Sequence, residues 1–354
     1  MDSLTQAALG AAIGGTVLGR RLGRKAVLLG AVLGTLPDLD VIIDYGDAVA
    51  NITRHRGFSH SLFVLTGLAA ALTLLAARLI PARGIGLRRW AAFFGLCLLT
   101  HPLLDALTTY GTQLWWPLDV RPTAHPLVFI IDPLYSLPLL AGVLIALIGG
   151  RVGATRLGLA LSCAYLVLSL GAKTLVESRL EPELAERGLA KAPRLVQPTP
   201  FNILLWRATV ADDNRYHEIL VGVFDGDHRP RVETFSRGAE WEPLALAGRA
   251  GRRLDWFAGP FLRYEIDERT TPATLVATDL RLGFPGFHPF RYALAERSAE
   301  AWQPLTPTRQ LETPRRDDGE AIRRLGARLL SPEPQLCLGR FVDPSWWLTA
   351  TPAC

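Results

Sequence analysis

The sequence predicts an α-helical polytopic membrane domain of about six spans followed by a small β-rich soluble domain. Three observations predict it. The 354 residues are 49% hydrophobic and only 20% charged, with a mean hydropathy of +0.21, which is more apolar than a soluble enzyme of this length. Six apolar windows precede Glu177, whereas alternating, β-like stretches follow it. Charge divides at the same place: 14 Lys/Arg, eight Asp and no Glu come before Glu177, and 24 basic and 25 acidic residues come from there on. A disordered chain and a disulfide-framed miniprotein are thereby excluded. The net charge of +5 arises wholly in the first half, where basic residues sit between apolar runs and not in one patch. That argues for membrane topology and against nucleic acid as a partner.

A spanning helix needs about 20 mostly apolar residues to cross roughly 30 Å of hydrocarbon. The windows that satisfy or approach this run from Leu4 to Gly19, Ala26 to Ile43, Phe58 to Ile80, Trp90 to Leu107, Leu127 to Ile148 and Ala154 to Val176. The first is short, yet it has no basic n-region, the first arginine being Arg20, so it reads as a retained span and not a removed signal peptide. Its Gly10, Gly14, Gly15 and Gly19 are small residues that allow close helix approach in lipid. Arg20, Arg21, Arg24 and Lys25 follow the first window, Arg78, Arg83, Arg88 and Arg89 the third, and Arg151 and Arg156 the fifth. Short basic loops stay in the cytoplasm, so both termini and everything after Val176 are expected on the outer face, the periplasm of a bacterium.

The expected domains are thus residues 1–176 in the membrane, a linker over 177–200 marked by Pro193, Pro198 and Pro200, and a β-rich domain over 201–354. Asn202 to Val210, Tyr216 to Phe224 and Thr274 to Leu282 read as strands, with turns at Asp225-Gly226-Asp227 and Pro285-Gly286. His217, His228 and His288 share no spacing and read as surface or satisfied core histidines. Cys97, Cys163, Cys337 and Cys354 form no C-x-x-C pair, which leaves the redox compartment open.

Ionisable side chains in or beside membrane spans are costly, so each is a functional hypothesis. Here they collect in four places: Pro37-Asp38-Leu39-Asp40, His55-Arg56-Gly57-Phe58-Ser59-His60-Ser61, His101-Pro102-Leu103-Leu104-Asp105 and Asp132-Pro133-Leu134-Tyr135. All four fall near the outer ends of their windows, although the topology rests on lysine and arginine alone. Imidazole and carboxylate together suit zinc, manganese or iron. His101 and Asp105 are four apart, which stacks them on one helix face, while Pro102 biases His101 toward a position just before a renewed turn. The expected ligands are a subset of Asp38, Asp40, His55, His60, His101, Asp105 and Asp132. Arg56 is expected to steady negative charge on a substrate phosphate, and Asp40 is either a ligand or the proton acceptor outside the shell. His125 either completes the shell or sits at the interface, and Trp115 and Trp116 read as an interfacial anchor. Thr108, Thr109, Tyr110 and Gln113 are placed to hydrogen-bond ligands or substrate.

These motifs resemble the YdjM/YbcI-like family of membrane-bound metal-dependent hydrolases of bacteria and archaea. The resemblance rests on Met1-Asp2-Ser3-Leu4-Thr5, Pro37-Asp38-Leu39-Asp40, His55 to Ser61, Thr100 to Asp105, Thr109-Tyr110-Gly111-Thr112-Gln113 and Ile131 to Tyr135, with Leu205-Trp206-Arg207 like the longer members. It covers about the first 140 residues, in order. Many members carry histidine where this chain has Gln6, and His125 is outside the pattern. The resemblance implies a helical, multi-spanning, zinc-dependent hydrolase with distant kinship to the zinc phospholipase C group, whose His and Asp clusters serve phosphoester hydrolysis.

The expectation is therefore an inner-membrane metallohydrolase of a phosphoester, either a small molecule or a lipid headgroup, with membrane lipids around it and the soluble domain capping the site or choosing the substrate. Two rivals use the same residues: a transporter with a cation or proton path, and a noncatalytic scaffold pinned by metal. The clustering of charge at one end of the spans leaves no path across, which disfavours transport.

Overall fold

The computed structural model describes residues 1–80, 84–298, 301–312, 319–333 and 336–348; Arg83 and Cys354 lie outside them. The chain forms two units, Met1–Ile43 with His55–Gly171 and Pro200–Asn202, and Asp44–Arg54 with Ala172–Thr199 and Ile203–Cys354.

The first unit is helical. Helix α1 (Ser3–Leu22) starts where the Asp2 carboxylate accepts from the Thr5 backbone N–H at 3.0 Å, and it turns at Gly23 into α2 (Arg24–Thr35). The two helices pack closely enough that a Cβ on Gly10 would lie 2.2 Å from the Gly30 carbonyl oxygen, and one on Gly30 would lie 2.1 Å from that of Gly10. No residue but glycine fits at these crossings, as the small-residue pattern of α1 suggests. Pro37 lacks the N–H that would continue α2, and the chain tightens there into a 3-10 turn, Pro37–Ile42.

A second 3-10 turn, Phe58–His60, leads to α4 (Leu62–Leu79), then come α5 (Leu87–Ala106), α6 (Pro133–Gly149) and α7 (Ala154–Glu186). The part of α7 from Ala172 on, and the short helix α3 (Ala48–Arg54), belong to the other unit. Contrary to the expected break, α5 runs through Pro102 with His101 and Asp105 both inside it; one proline near a helix end is tolerated where neighbours meet the freed backbone groups. Each apolar window holds a helix. By length and composition α4 and α7 can cross a membrane, and α6 is a shorter apolar helix. Proline cuts α2 to 12 residues, and α5 carries Arg88, Arg89 and Asp105. The buried core of this unit joins Leu9, Ile13, Leu18, Phe93, Leu98, Leu139 and Val143.

The second unit holds two antiparallel sheets. Strands β1 (Arg194–Pro198), β2 (Leu205–Asp212), β3 (Arg215–Gly222) and β4 (Val232–Ser236) form one, in that order. Strands β5 (Leu262–Asp267), β6 (Thr274–Asp279), β7 (Arg291–Ser298) and β8 (Ala301–Leu311) form the other. The three stretches read as strands coincide with β2, β3 and β6. Helices α8 (Glu242–Ala247) and α9 (Arg249–Ala258) join the sheets, and α10 (Gly319–Arg328) follows β8.

Helix α3 (Ala48–Arg54), which the sequence did not announce, packs Val49 among Leu254, Tyr264, Leu275 and Tyr292. The Asp47 carboxylate accepts from the Thr308 backbone N–H at 2.7 Å and from its hydroxyl at 2.8 Å.

The second unit also buries charge. Arg207 on β2 donates through Nε to Glu218 on β3 at 2.8 Å and through Nη1 to the Gly283 carbonyl at 2.7 Å. Nearby, His288 stacks on Trp346 with centroids 5.9 Å apart and donates from Nδ1 to the Leu282 carbonyl at 3.2 Å. Burial, reinforced by the Arg207 charge, pushes its imidazole down from 6.5 to about 3. An unfolded chain takes that proton near pH 6.5 and the folded one does not. The contribution of His288 to stability is thus complete above pH 6.5 and is lost as pH falls from there toward 3, at no more than about 1.4 kcal/mol per pH unit. Thermal unfolding of the full-length protein across this range should show a shallower acid dependence in His288→Gln than in the wild type.

Candidate metal centre

Four side chains from three segments of the first unit converge: Asp38, His60, His101 and Asp105, with one ligand atom of each lying within 4.8 Å of all the others. His60 Nε2 is 3.1 Å from His101 Nε2, 3.1 Å from Asp105 Oδ2 and 3.5 Å from Asp38 Oδ1. His101 Nε2 is 3.3 Å from Asp38 Oδ1 and 3.4 Å from Asp105 Oδ2. Separations of this size are those of atoms that share one metal ion.

The surrounding hydrogen bonds fix which atoms face inward. His101 Nδ1 lies 2.6 Å from the Gly34 carbonyl oxygen. A carbonyl only accepts, so Nδ1 carries a hydrogen, and Nε2 is the nitrogen turned toward the other three residues. Ser59 donates its one hydroxyl hydrogen to Asp40 Oδ2 at 2.6 Å, so its oxygen accepts from His60 Nδ1 at 2.9 Å. His60 likewise turns Nε2 inward. Asp105 Oδ1 faces away and is held by the Met1 amino group, by Gln6 Nε2 at 3.0 Å and by Arg56 Nη2 at 3.3 Å. Both Nε2 atoms and one oxygen of each carboxylate thus face one another, and outward hydrogen bonds that orient ligand atoms in this way are what metal sites have. The donor set fits a divalent metal.

The other expected residues fall in three groups. Asp40 and His55 stand beside the cluster: Asp40 Oδ1 accepts from His55 Nδ1 at 2.8 Å, Oδ2 accepts from the Arg56 backbone N–H at 3.0 Å, and Oδ2 is 3.8 Å from His60 Nδ1. Arg56 is buried with φ +59, a conformation unusual for a residue with a side chain. Its guanidinium donates to Thr108 Oγ1 at 3.4 Å, lies 4.9 Å from the Tyr110 ring centroid and pairs with Asp105. The Gln113 backbone N–H donates to the Arg56 carbonyl at 3.0 Å. Asp132 is not one of the four: it caps α6, accepting from the Leu134 and Tyr135 backbone N–H groups at 3.1 and 3.3 Å and from the Tyr165 hydroxyl at 2.9 Å. His125 is not one of the four either. Gln6, which stands where many members carry histidine, is not one of the four and instead donates to Asp105; Ser59 and the Gly34 carbonyl act on the ligands without having been singled out for that, and Ser59, lying next to His60, was the more legible.

Metal analysis of detergent-purified, full-length protein tests the grouping. Stoichiometric metal is expected in the wild type and in Asp132→Asn, and its loss in His101→Ala and in His60→Ala. Metal retained by both histidine variants, or lost in Asp132→Asn alone, would overturn it.

Comparison with known proteins gives the same frame. The chain is 25% identical over 274 residues to the uncharacterized protein YfhP of Bacillus subtilis (strain 168), covering 75% of this chain and 80% of that one. It is 36% identical over 93 residues to the inner membrane protein YbcI of Escherichia coli (strain K12), covering 26% of this chain and 52% of YbcI. No solved structure is similar. Residues 1–176, which contain all four converging side chains, match the family described as YdjM inner membrane protein, and by that match this part of the chain belongs to the YdjM family.

Proposed function

We propose that this protein is an inner-membrane, metal-dependent hydrolase of phosphoester bonds. The observation that carries the reading is the convergence of four metal-ligating atoms, with both histidines held by their Nδ1 atoms so that Nε2 faces the cluster. Asp38, His60, His101 and Asp105 would hold the ion; zinc expanded to five-coordinate, or manganese or iron with their larger coordination numbers, would leave a position for water. A divalent cation held there supplies Lewis acidity, polarising a phosphoryl oxygen and lowering the pKa of water.

The neighbouring residues have separate duties in this reading. The Asp40 carboxylate orients His55 by accepting its Nδ1 hydrogen, which leaves Nε2 of the partly exposed imidazole to take a proton from attacking water. Arg56 holds the outer oxygen of Asp105 and balances local negative charge. Its side chain is only 4% exposed, which favours this positioning role over a direct grip on phosphate. His55 is thereby a proton carrier beside the site and not a ligand.

The six-span topology, with site and second unit on the periplasmic side, belongs to the same proposal. Helices at each apolar window and the basic residues between them support it. Cys337 is in a disulfide, a bond that persists in oxidising compartments. A reporter active only outside the cytoplasm, fused to the C-terminus, is expected to be active; activity of a cytoplasmic reporter there would reverse the orientation.

Turnover of a soluble aryl phosphodiester by metal-loaded protein is the direct test of activity. Hydrolysis should cease with a chelator and return with zinc or manganese. His55→Gln should lower kcat by about 10²–10⁴, the usual worth of a general base, at unchanged metal content. A fully loaded protein that hydrolyses no phosphoester would end the reading.

A further inference from the structure

Resting on the phosphoesterase reading above, the geometry points to a bilayer phospholipid as the substrate, its phosphodiester at the four-residue cluster and its acyl chains left in the hydrocarbon. The depth of the cluster is the first argument. His60 closes the 3-10 turn that begins at Phe58. The Phe58 ring packs edge-on against Trp116 with centroids 6.3 Å apart, and Phe63 lies 6.3 Å from Trp115. All four rings are exposed. Exposed tryptophans of a membrane protein lie at the lipid–water interface, so a ligand two residues from Phe58 sits at the level of the headgroup phosphates.

The opening of the site is the second argument. Among the four ligand side chains Asp38 is 13% exposed, whereas His60, His101 and Asp105 are at 0–1%, so substrate must come in past Asp38. Ser3 donates to Asp38 Oδ2 at 3.4 Å, which sets two chain segments side by side at the opening. The next residue on each is an exposed leucine, Leu4 at 63% and Leu39 at 55%. Val41 and Ile42 extend the exposed apolar run along the same turn. A small ionic substrate arriving from water has no use for such a rim. An amphiphile does, because acyl chains cover the leucines while the anionic phosphodiester reaches the cation site. Hydrolysis then needs only water: its hydroxyl adds to phosphorus, one P–O ester bond breaks, and its remaining proton ends on the departing alcohol oxygen.

The test uses full-length, zinc- or manganese-loaded protein in vesicles of phosphatidylethanolamine and phosphatidylglycerol, with headgroup release read by mass spectrometry. Short-chain soluble analogues of the same two headgroups run in parallel. Bilayer lipid should be turned over with the higher kcat/KM. The ratio of bilayer to soluble turnover should fall about tenfold in Leu4→Asn with Leu39→Asn, the scale of losing leucine contact area, with metal content reporting that the variant is folded. Soluble analogues cleaved as well as bilayer lipid, or a ratio that the double variant leaves unmoved, would overturn the lipid assignment and leave the phosphoesterase reading standing. Loaded protein that cleaves neither of these but still hydrolyses the aryl phosphodiester would overturn the lipid assignment alone; failure on all three would remove the phosphoesterase reading, and this inference with it.

Discussion

The close crossing of α1 and α2 at Gly10 and Gly30 is the constraint on which the rest of the first unit depends. Without a Cβ at either position the two backbones come into contact. That sets two groups from different helices against α5: the Gln6 amide donates to the His101 carbonyl at 3.1 Å and to Asp105, and the Gly34 carbonyl accepts from His101 Nδ1. A bulkier residue at Gly30 would push α2 outward, and with it both the Gly34 carbonyl and the Pro37–Ile42 turn that carries Asp38 and Asp40. Helix packing in lipid, where small residues let backbones approach, is thus the means by which ligand orientation is set.

The second organising feature is electrostatic. Asp40 and Asp105 are both buried, and a carboxylate taken out of water costs several kcal/mol unless it is paired and hydrogen-bonded. Each is satisfied on its outer side: Asp105 by Arg56, Gln6 and the Met1 amino group, Asp40 by His55, Ser59 and the Arg56 backbone. Arg56 links the two, its backbone serving one carboxylate and its side chain the other, which accounts for holding that residue at positive φ. On the inner face the two imidazoles and one oxygen of each carboxylate meet, a set of groups that could hold a metal ion.

The second unit solves a different problem. It buries ion pairs and polar groups between strands, as with Arg207 and Glu218, and it also incorporates residues 44–54. That segment lies in the chain between Asp40 and His55, two residues that meet at 2.8 Å in the first unit.

Much of this was legible in the sequence. Helices under every apolar window, three of the eight described strands, and the approach of four of the seven candidate ligands follow from hydropathy, charge and local spacing; the two units part at Gly171 and Ala172 and interleave at 44–54 and 200–202. Those signals report what a residue's own neighbourhood must be: an acid in an apolar run needs a partner, and His101 and Asp105 share a helix face wherever the helix goes. Tertiary structure decided which partner each obtained. Asp132 shares the others' chemistry yet caps its own helix, because its carboxylate meets the backbone donors of α6 first. The roles of Ser59 and the Gly34 carbonyl, and the membership of residues 44–54 in the other unit, depend on distances between segments far apart in the chain. Spacing along a sequence fixes neighbours within a helical turn, whereas the convergence of four side chains is fixed by how closely whole helices pack.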